Sequence, residues 1–266
     1  MMKKYEFTGE TKKTWWGAEL HRIKAVVAFG VVEVGELGGW VEKEENLSHE
    51  GKAWVCGDAK VWGNAEVWGN AKVCGDAKVW GNAKVCGDAE VWGNAEVCGD
   101  AEVWGNAKVW GNAEVCGDAE VFSSSHVLVI GAIGSRSDFT TFYRDKDNEI
   151  TVKCGCFLGK IDRFLEKVTR THGDSKYALV YRVAVEVAKL QIDLSLKKPF
   201  NVGDKVRIIS KEDNDPNRNF NDRVEQYLGT VMTISKVDDD GDGYRMEEDN
   251  GKWYWNDYRI AGKVEE

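Results

Sequence analysis

The chain has 266 residues, with 45 acidic against 36 basic side chains and a net charge of −9. No basic patch offsets that balance, which argues against nucleic acid as a partner. No run approaches ~18 apolar residues, so a membrane-spanning helix is not expected, and no apolar run behind the N-terminal lysines suggests a secretory leader.

Residues 1–46 read as a β-rich N-terminal cap. Tyr5 to Thr11, Glu19 to Phe29 and Val31 to Val34 have the composition of short strands. Gly38-Gly39-Trp40-Val41 then leads into a Glu-rich run that ends at Asn46.

Residues 47–126 are organised by a hexapeptide. From Gly51 to Phe122 the unit Gly-(Asn/Asp)-Ala-(Lys/Glu)-Val-(Trp/Cys) runs through 12 copies. A short fixed period is the mark of a solenoid. In one copy, Ala65-Glu66-Val67-Trp68 alternates small, charged, apolar and large, as a strand does. Gly69-Asn70 then supplies a corner, because Gly adopts positive φ freely and Asn or Asp more readily than most residues. Positive φ is accordingly expected at corner residues such as Asn82. A helix does not fit, since Gly in every copy would cost about 1 kcal/mol each and the apolar residues do not follow a 3.6 period.

The repeat resembles that of the hexapeptide-repeat proteins, which form a left-handed parallel β-helix. Val stands at that family's large apolar position, Ala at its small position and Asn or Asp at its corner. Gly sits directly before the corner residue, where the family more often has it just after the aliphatic. The run from Arg22-Ile23-Lys24-Ala25-Val26, through Gly38-Gly39-Trp40-Val41, to Asn46-Leu47-Ser48 and Gly51-Lys52-Ala53-Trp54-Val55 also resembles the start of YdcK-like and related phage proteins. That resemblance covers roughly residues 5–122.

The resemblance implies three sides per coil. The 12 copies then make about four coils, roughly 19 Å long at ~4.8 Å between strands. Residues 18 apart stack. One outward column is Cys56, Cys74, Trp92 and Trp110; the second is Trp62, Trp80, Cys98 and Cys116; the third is Trp68, Cys86, Trp104 and Phe122. Cys56 and Cys74, like Cys98 and Cys116, then fall within disulfide range. A reducing cytoplasm is the expected setting, and free thiols with it.

Residues 127–193 read as a small α+β module that closes the far end of the prism. Strands are expected at Val127–Ile130, Thr140–Arg144 and Ile150–Cys154. Two helices follow, one from Ile161 to Gly173 and one from Ser175 to Ile192. Residues 194–200 are a linker containing Pro199. Residues 201–266 carry five short strands and a polar loop from Lys211 to Gln226, and resemble an SH3-like β-barrel. Trp253, Trp255 and Tyr258 are candidates to line a peptide groove there, against the alternative that alternate members fill the core.

Four features bear on chemistry. Among the four histidines, His126 at the end of the prism is the one position where an acyltransferase-like enzyme would carry its base; a capping role is the alternative. Cys154-Gly155-Cys156 supplies two thiols one residue apart, short of a tetrahedral zinc set. Asp238, Asp240, Asp242 and Asp249 have the spacing of a calcium loop, but Asp stands where the loop ends in Glu, Arg245 where an apolar residue is usual, and strands flank it, so an acidic hairpin is the preferred reading. The Trp columns, Trp62 with Trp80, Trp92 with Trp110, and Trp68 with Trp104, form an aromatic surface.

The reading as a whole is a mainly β, non-enzymatic protein-binding scaffold without a cofactor. Its expected partner is a protein, or a second copy meeting the prism faces. The phage resemblance implies an accessory factor in a host cytoplasm that inhibits a host factor such as a defence nuclease. The alternative is a hexapeptide-repeat acyltransferase-like enzyme using acetyl-CoA.

Overall fold

The computed structural model describes residues 3–195, 200, 202–208, 226–237, 243–253, 255–256 and 260–264. The chain divides into two compact units, Met1–Leu196 and Lys197–Glu266.

The first unit opens with an antiparallel hairpin of β1 (Tyr5–Lys13) and β2 (Glu19–Ala25), followed by β3 (Leu37–Val41). Twelve two-residue strands, β4 to β15, run from Trp54–Val55 to Glu120–Val121 and carry the repeat. They stack in parallel as three ladders: β4-β7-β10-β13, β6-β9-β12-β15, and β5-β8-β11-β14 extending from β3. The register is 18, with Glu90 between Lys72 and Lys108 and Val91 between Val73 and Val109. Corner backbone joins the ladder too. The Cys56 N–H donates to Val73 O and the Asp58 N–H to Gly75 O, both at 2.9 Å. Polar groups of adjacent coils thus satisfy one another, while the Ala and Val of every copy are buried inside.

The corner needs glycine for two reasons at once. Gly81 has φ +78°, and a Cβ there would lie 3.0 Å from both N and O of Gly99 on the next coil. Positive φ therefore falls on the glycine, not on Asn82 as the sequence suggested. The described non-glycine residues with positive φ are Ser137, Asn148 and Asn250. Asn82 works laterally instead, accepting from Asn64 Nδ2 at 3.1 Å and donating to Asp100 Oδ1 at 2.8 Å.

The solenoid has about five coils, one more than the repeat count implies. Trp40 and Val41 pair with Lys60 and Val61, and Leu47 bridges Val67, an offset of 20 instead of 18. Ladder pairing defines a coil, and these residues fill it without the repeat's Gly-Asn. The buried Asn46 secures the irregular turn, its Nδ2 donating to Gly63 O at 3.1 Å and Ala65 O at 2.8 Å.

Both ends are capped, as exposed strand edges require. At the start, the β1–β2 hairpin continues the ladder beyond β3, and Tyr5 Oη donates towards Glu44 O and Leu47 O, each at 3.0 Å. At the far end, Tyr143 Oη accepts from the Cys116 N–H at 3.3 Å and donates to Cys116 O at 2.8 Å. Thr141 accepts from the Glu114 N–H at 3.0 Å.

The cysteines differ from expectation. Cys56–Cys74 and Cys98–Cys116 are disulfides, with Cα–Cα distances of 4.7 and 4.6 Å, while Cys86, Cys154 and Cys156 are free. The expected free thiols rested on an assumed compartment. The ladder spacing by itself holds both pairs in bonding range.

Tyr143 and Thr141 lie on β17 (Asp138–Arg144), part of a four-stranded antiparallel sheet with β16 (Val127–Ile133), β18 (Ile150–Cys154) and β19 (Phe157–Lys160). Helices α1 (Ile161–His172) and α2 (Lys176–Gln191) pack with it around Phe142, Val152, Phe164 and Val185.

The second unit is an antiparallel sheet of β20 (Lys205–Ile208), β21 (Val231–Val237), β22 (Gly243–Met246), β23 (Trp255–Asn256) and β24 (Ile260–Lys263). Its core includes Val206, Ile234, Tyr244 and Trp255.

Candidate protein-binding surface

The three outward columns of the solenoid, all built from the same position of the repeat, have three different environments. Trp62 and Trp80 stack face to face, 5.1 Å between centroids and 6° between planes. They pack with Leu20 and Ala18 of the N-terminal hairpin and with Trp40, which buries Trp62 and half-buries Trp80. In the next column Trp68 and Trp104 are half-buried. Trp104 lies 4.8 Å from Phe122, whose ring meets His126 edge-on at 4.3 Å. Cys86, between Trp68 and Trp104, has its thiol pushed up to about 12 by burial and does not act as a nucleophile near neutral pH.

The remaining column is open. Beyond the Cys56–Cys74 disulfide, Trp92 is 45% and Trp110 65% exposed. Glu90 and Lys108 line a shallow cleft with these rings, their charged atoms 3.8 Å apart. The result is an apolar edge with one acid and one base beside it, on a scaffold held by ladder hydrogen bonds.

His126 is placed differently from a catalytic base. It is fully buried, and Nδ1 accepts the Phe122 N–H at 3.3 Å. Burial is the main cause, with the nearby Arg144 guanidinium, that lowers its pKa to about 4; Asp193 and Glu120 oppose the shift. A buried ring that shapes the end of the solenoid does not meet a substrate in solution. The expected consequence is a pH dependence. Unfolding exposes an imidazole that titrates near 6.5, so the neutral folded form is favoured above that value and the advantage is lost as pH falls towards 4. We expect this histidine to account for about 2 kcal/mol of lost stability between pH 7.5 and pH 5. An NMR titration of the His126 ring checks it; a midpoint near 6.5 would refute the assignment.

The other candidates resolve unevenly. Trp255 is fully buried and its indole N–H donates to Asp249 Oδ2 at 2.6 Å, so it fills the core of the second unit and does not line a groove. Asp249 also accepts the Lys252 N–H at 3.0 Å, as a turn residue does. Trp253 is half-buried, with Lys252 Nζ 5.1 Å from its ring. Tyr258, Asp238, Asp240 and Asp242 lie outside the described residues. Among the described residues no three His, Cys, Asp or Glu gather to hold a metal ion, and no helix is long and apolar enough to cross a membrane.

Sequence reasoning passed over Trp15 and Trp16, 93% and 80% exposed at the β1–β2 turn. That turn is tied by Thr14, whose N–H donates to Ala18 O at 2.8 Å and whose hydroxyl accepts the Ala18 N–H at 3.0 Å. Trp15-Trp16-Gly17 between two strands was the available signal. Compared with protein-family models and with curated proteins, the chain matches none.

Proposed function

We propose that this chain is a non-enzymatic protein-binding scaffold whose recognition edge is the Trp92–Trp110 column. The observation that carries the reading is the contrast among identical repeat positions: Trp62 is covered, whereas Trp92 and Trp110 keep 45% and 65% of their surface. Exposed adjacent tryptophans on a rigid support are typical anchors of protein interfaces. A second copy is the first candidate occupant. The resemblance of residues 5–122 to YdcK-like and phage proteins supports a left-handed solenoid in a host cytoplasm and a host factor such as a defence nuclease as the foreign partner, and the five short antiparallel strands of the second unit support an SH3-like domain.

Trp92→Ser combined with Trp110→Ser is expected to lower the assembled mass in light scattering while the far-ultraviolet spectrum stays β-like. An unchanged mass from an assembled wild type would remove the edge from self-association. A rise in melting temperature with acetyl-CoA would favour an acyltransferase instead.

A further inference from the structure

The three ladders of the solenoid end differently. At β14 (Glu114–Val115) the far cap supplies acceptors: Thr141 Oγ1 takes the Glu114 N–H at 3.0 Å and Tyr143 Oη the Cys116 N–H at 3.3 Å. At β15 (Glu120–Val121) Ala119 bridges Asp145, and His126 Nδ1 takes the Phe122 N–H at 3.3 Å. The last strand of the remaining ladder, β13 (Lys108–Val109), pairs with β10 (Glu90–Val91) alone.

The repeat identifies the groups this leaves open. One coil earlier, the N–H groups of Glu90, Trp92 and Asn94 donate to the carbonyls of Ala107, Val109 and Gly111, each at 2.9 Å. Lys108, Trp110 and Asn112 point their N–H groups the same way from the last coil and meet no acceptor among the described residues. The space beyond is empty at this corner. A Cβ at Gly111 would meet nothing within 4 Å, whereas one at Gly105 would stand 2.7 Å from Phe122 O and one at Gly117 3.4 Å from Leu158 Cδ2. Unpaired donors along a strand edge are a template for another strand.

The side chains beside that edge specify which strand. The charged column Lys72, Glu90, Lys108 alternates in sign, with Lys108 Nζ 3.8 Å from Glu90. An acid stacked over Lys108 continues the alternation, and the residue two positions later falls over the exposed Trp110 ring.

We infer that the end of β13 binds an extended segment of a partner protein as one more parallel strand, with an acid over Lys108 and an aromatic residue over Trp110. The segment's carbonyls accept the three open N–H groups, and a strand spacing of ~4.8 Å brings its acid within reach of Lys108. The Glu-Val-Trp segments of this chain, from Glu66, Glu90 and Glu102, are already paired inside ladders, so the occupant is a foreign strand. The inference names the class of foreign partner for the scaffold and rests on that reading for the anchor at Trp110. So short an edge gives weak binding to a peptide by itself.

The probe is a fluorescently labelled Ala-Glu-Val-Trp-Gly-Asn peptide, the sequence of residues 89–94, titrated with the full chain. Anisotropy is expected to saturate with a Kd of about 0.1–1 mM, and amide NMR shifts should centre on Lys108, Trp110 and Asn112. Lys108→Glu should weaken binding roughly tenfold, and Ala-Lys-Val-Trp-Gly-Asn should recover it on that variant. N-methylation of the peptide valine, whose N–H meets Lys108 O in the ladder pattern, should abolish binding with the protein unaltered. Absence of binding overturns the inference, as do shifts centred elsewhere, or indifference to the charge exchange or to N-methylation. Lys108→Glu keeps both tryptophans, and light scattering of the tryptophan variant needs no peptide, so failure here is distinguishable from failure of the Trp92–Trp110 edge.

Discussion

Replacing Arg144 by Met is expected to lower the unfolding free energy of the first unit by about 3–5 kcal/mol. The guanidinium Nη1 donates to Glu120 Oε2 at 2.8 Å and to Glu120 O at 3.2 Å, while Nε donates to Asn148 Oδ1 at 2.8 Å. Both residues are buried, and the cation lies 4.8 Å from the Phe122 ring. Methionine keeps most of the stem volume but leaves the Glu120 carboxylate buried without its cation, which costs more than the pair itself contributes. Denaturant titration followed by far-ultraviolet circular dichroism measures the loss. Adding Glu120→Gln should recover part of it, because the two residues act as one unit. A loss under ~1 kcal/mol would mean that the pair behaves as a surface contact and does not secure the solenoid end.

Gly99→Ala is the second large effect, expected at about 2–4 kcal/mol. Gly99 has φ +72°, and a Cβ there would stand 2.8 Å from Gly117 N and 3.1 Å from Gly117 Cα. Both neighbours are backbone, so relief requires the coils to part, which breaks ladder hydrogen bonds. Gly111 separates the two causes. Its φ is +68° but nothing lies within 4 Å of its Cβ position. Gly111→Ala therefore meets only the conformational penalty, about 1–2 kcal/mol. Equal losses at the two sites would show that coil-to-coil contact plays no part in the choice of glycine.

The far cap shows where local reading stops. The strands from Val127, Thr140 and Ile150 and both helices are legible from apolar spacing. Phe157–Lys160 escapes because Leu158-Gly159-Lys160 between a turn and a helix has no alternation to recognise. Nothing in the residues around Tyr143 or Arg144 indicates that one would meet the backbone of Cys116 and the other the carboxylate of Glu120, each more than 20 positions away.

The hexapeptide alone determined the solenoid. Alternation puts Ala and Val on one face, and a residue without Cβ recurs wherever the chain turns. Given three sides, the 18-residue stacking that brings Cys56 to Cys74 follows by counting. The first coil does not follow, because Trp40, Val41 and Leu47 enter the ladder at an offset of 20. Nor does the exposure of the tryptophans. Val61-Trp62-Gly63-Asn64 and Val91-Trp92-Gly93-Asn94 are the same four residues in the same local conformation, yet one ring is buried and the other is open. The difference lies in the β1–β2 hairpin, which carries Leu20 onto the column of Trp62 and Trp80. Burial is a property of what a side chain meets across the fold, and two identical tetrapeptides contain no record of it.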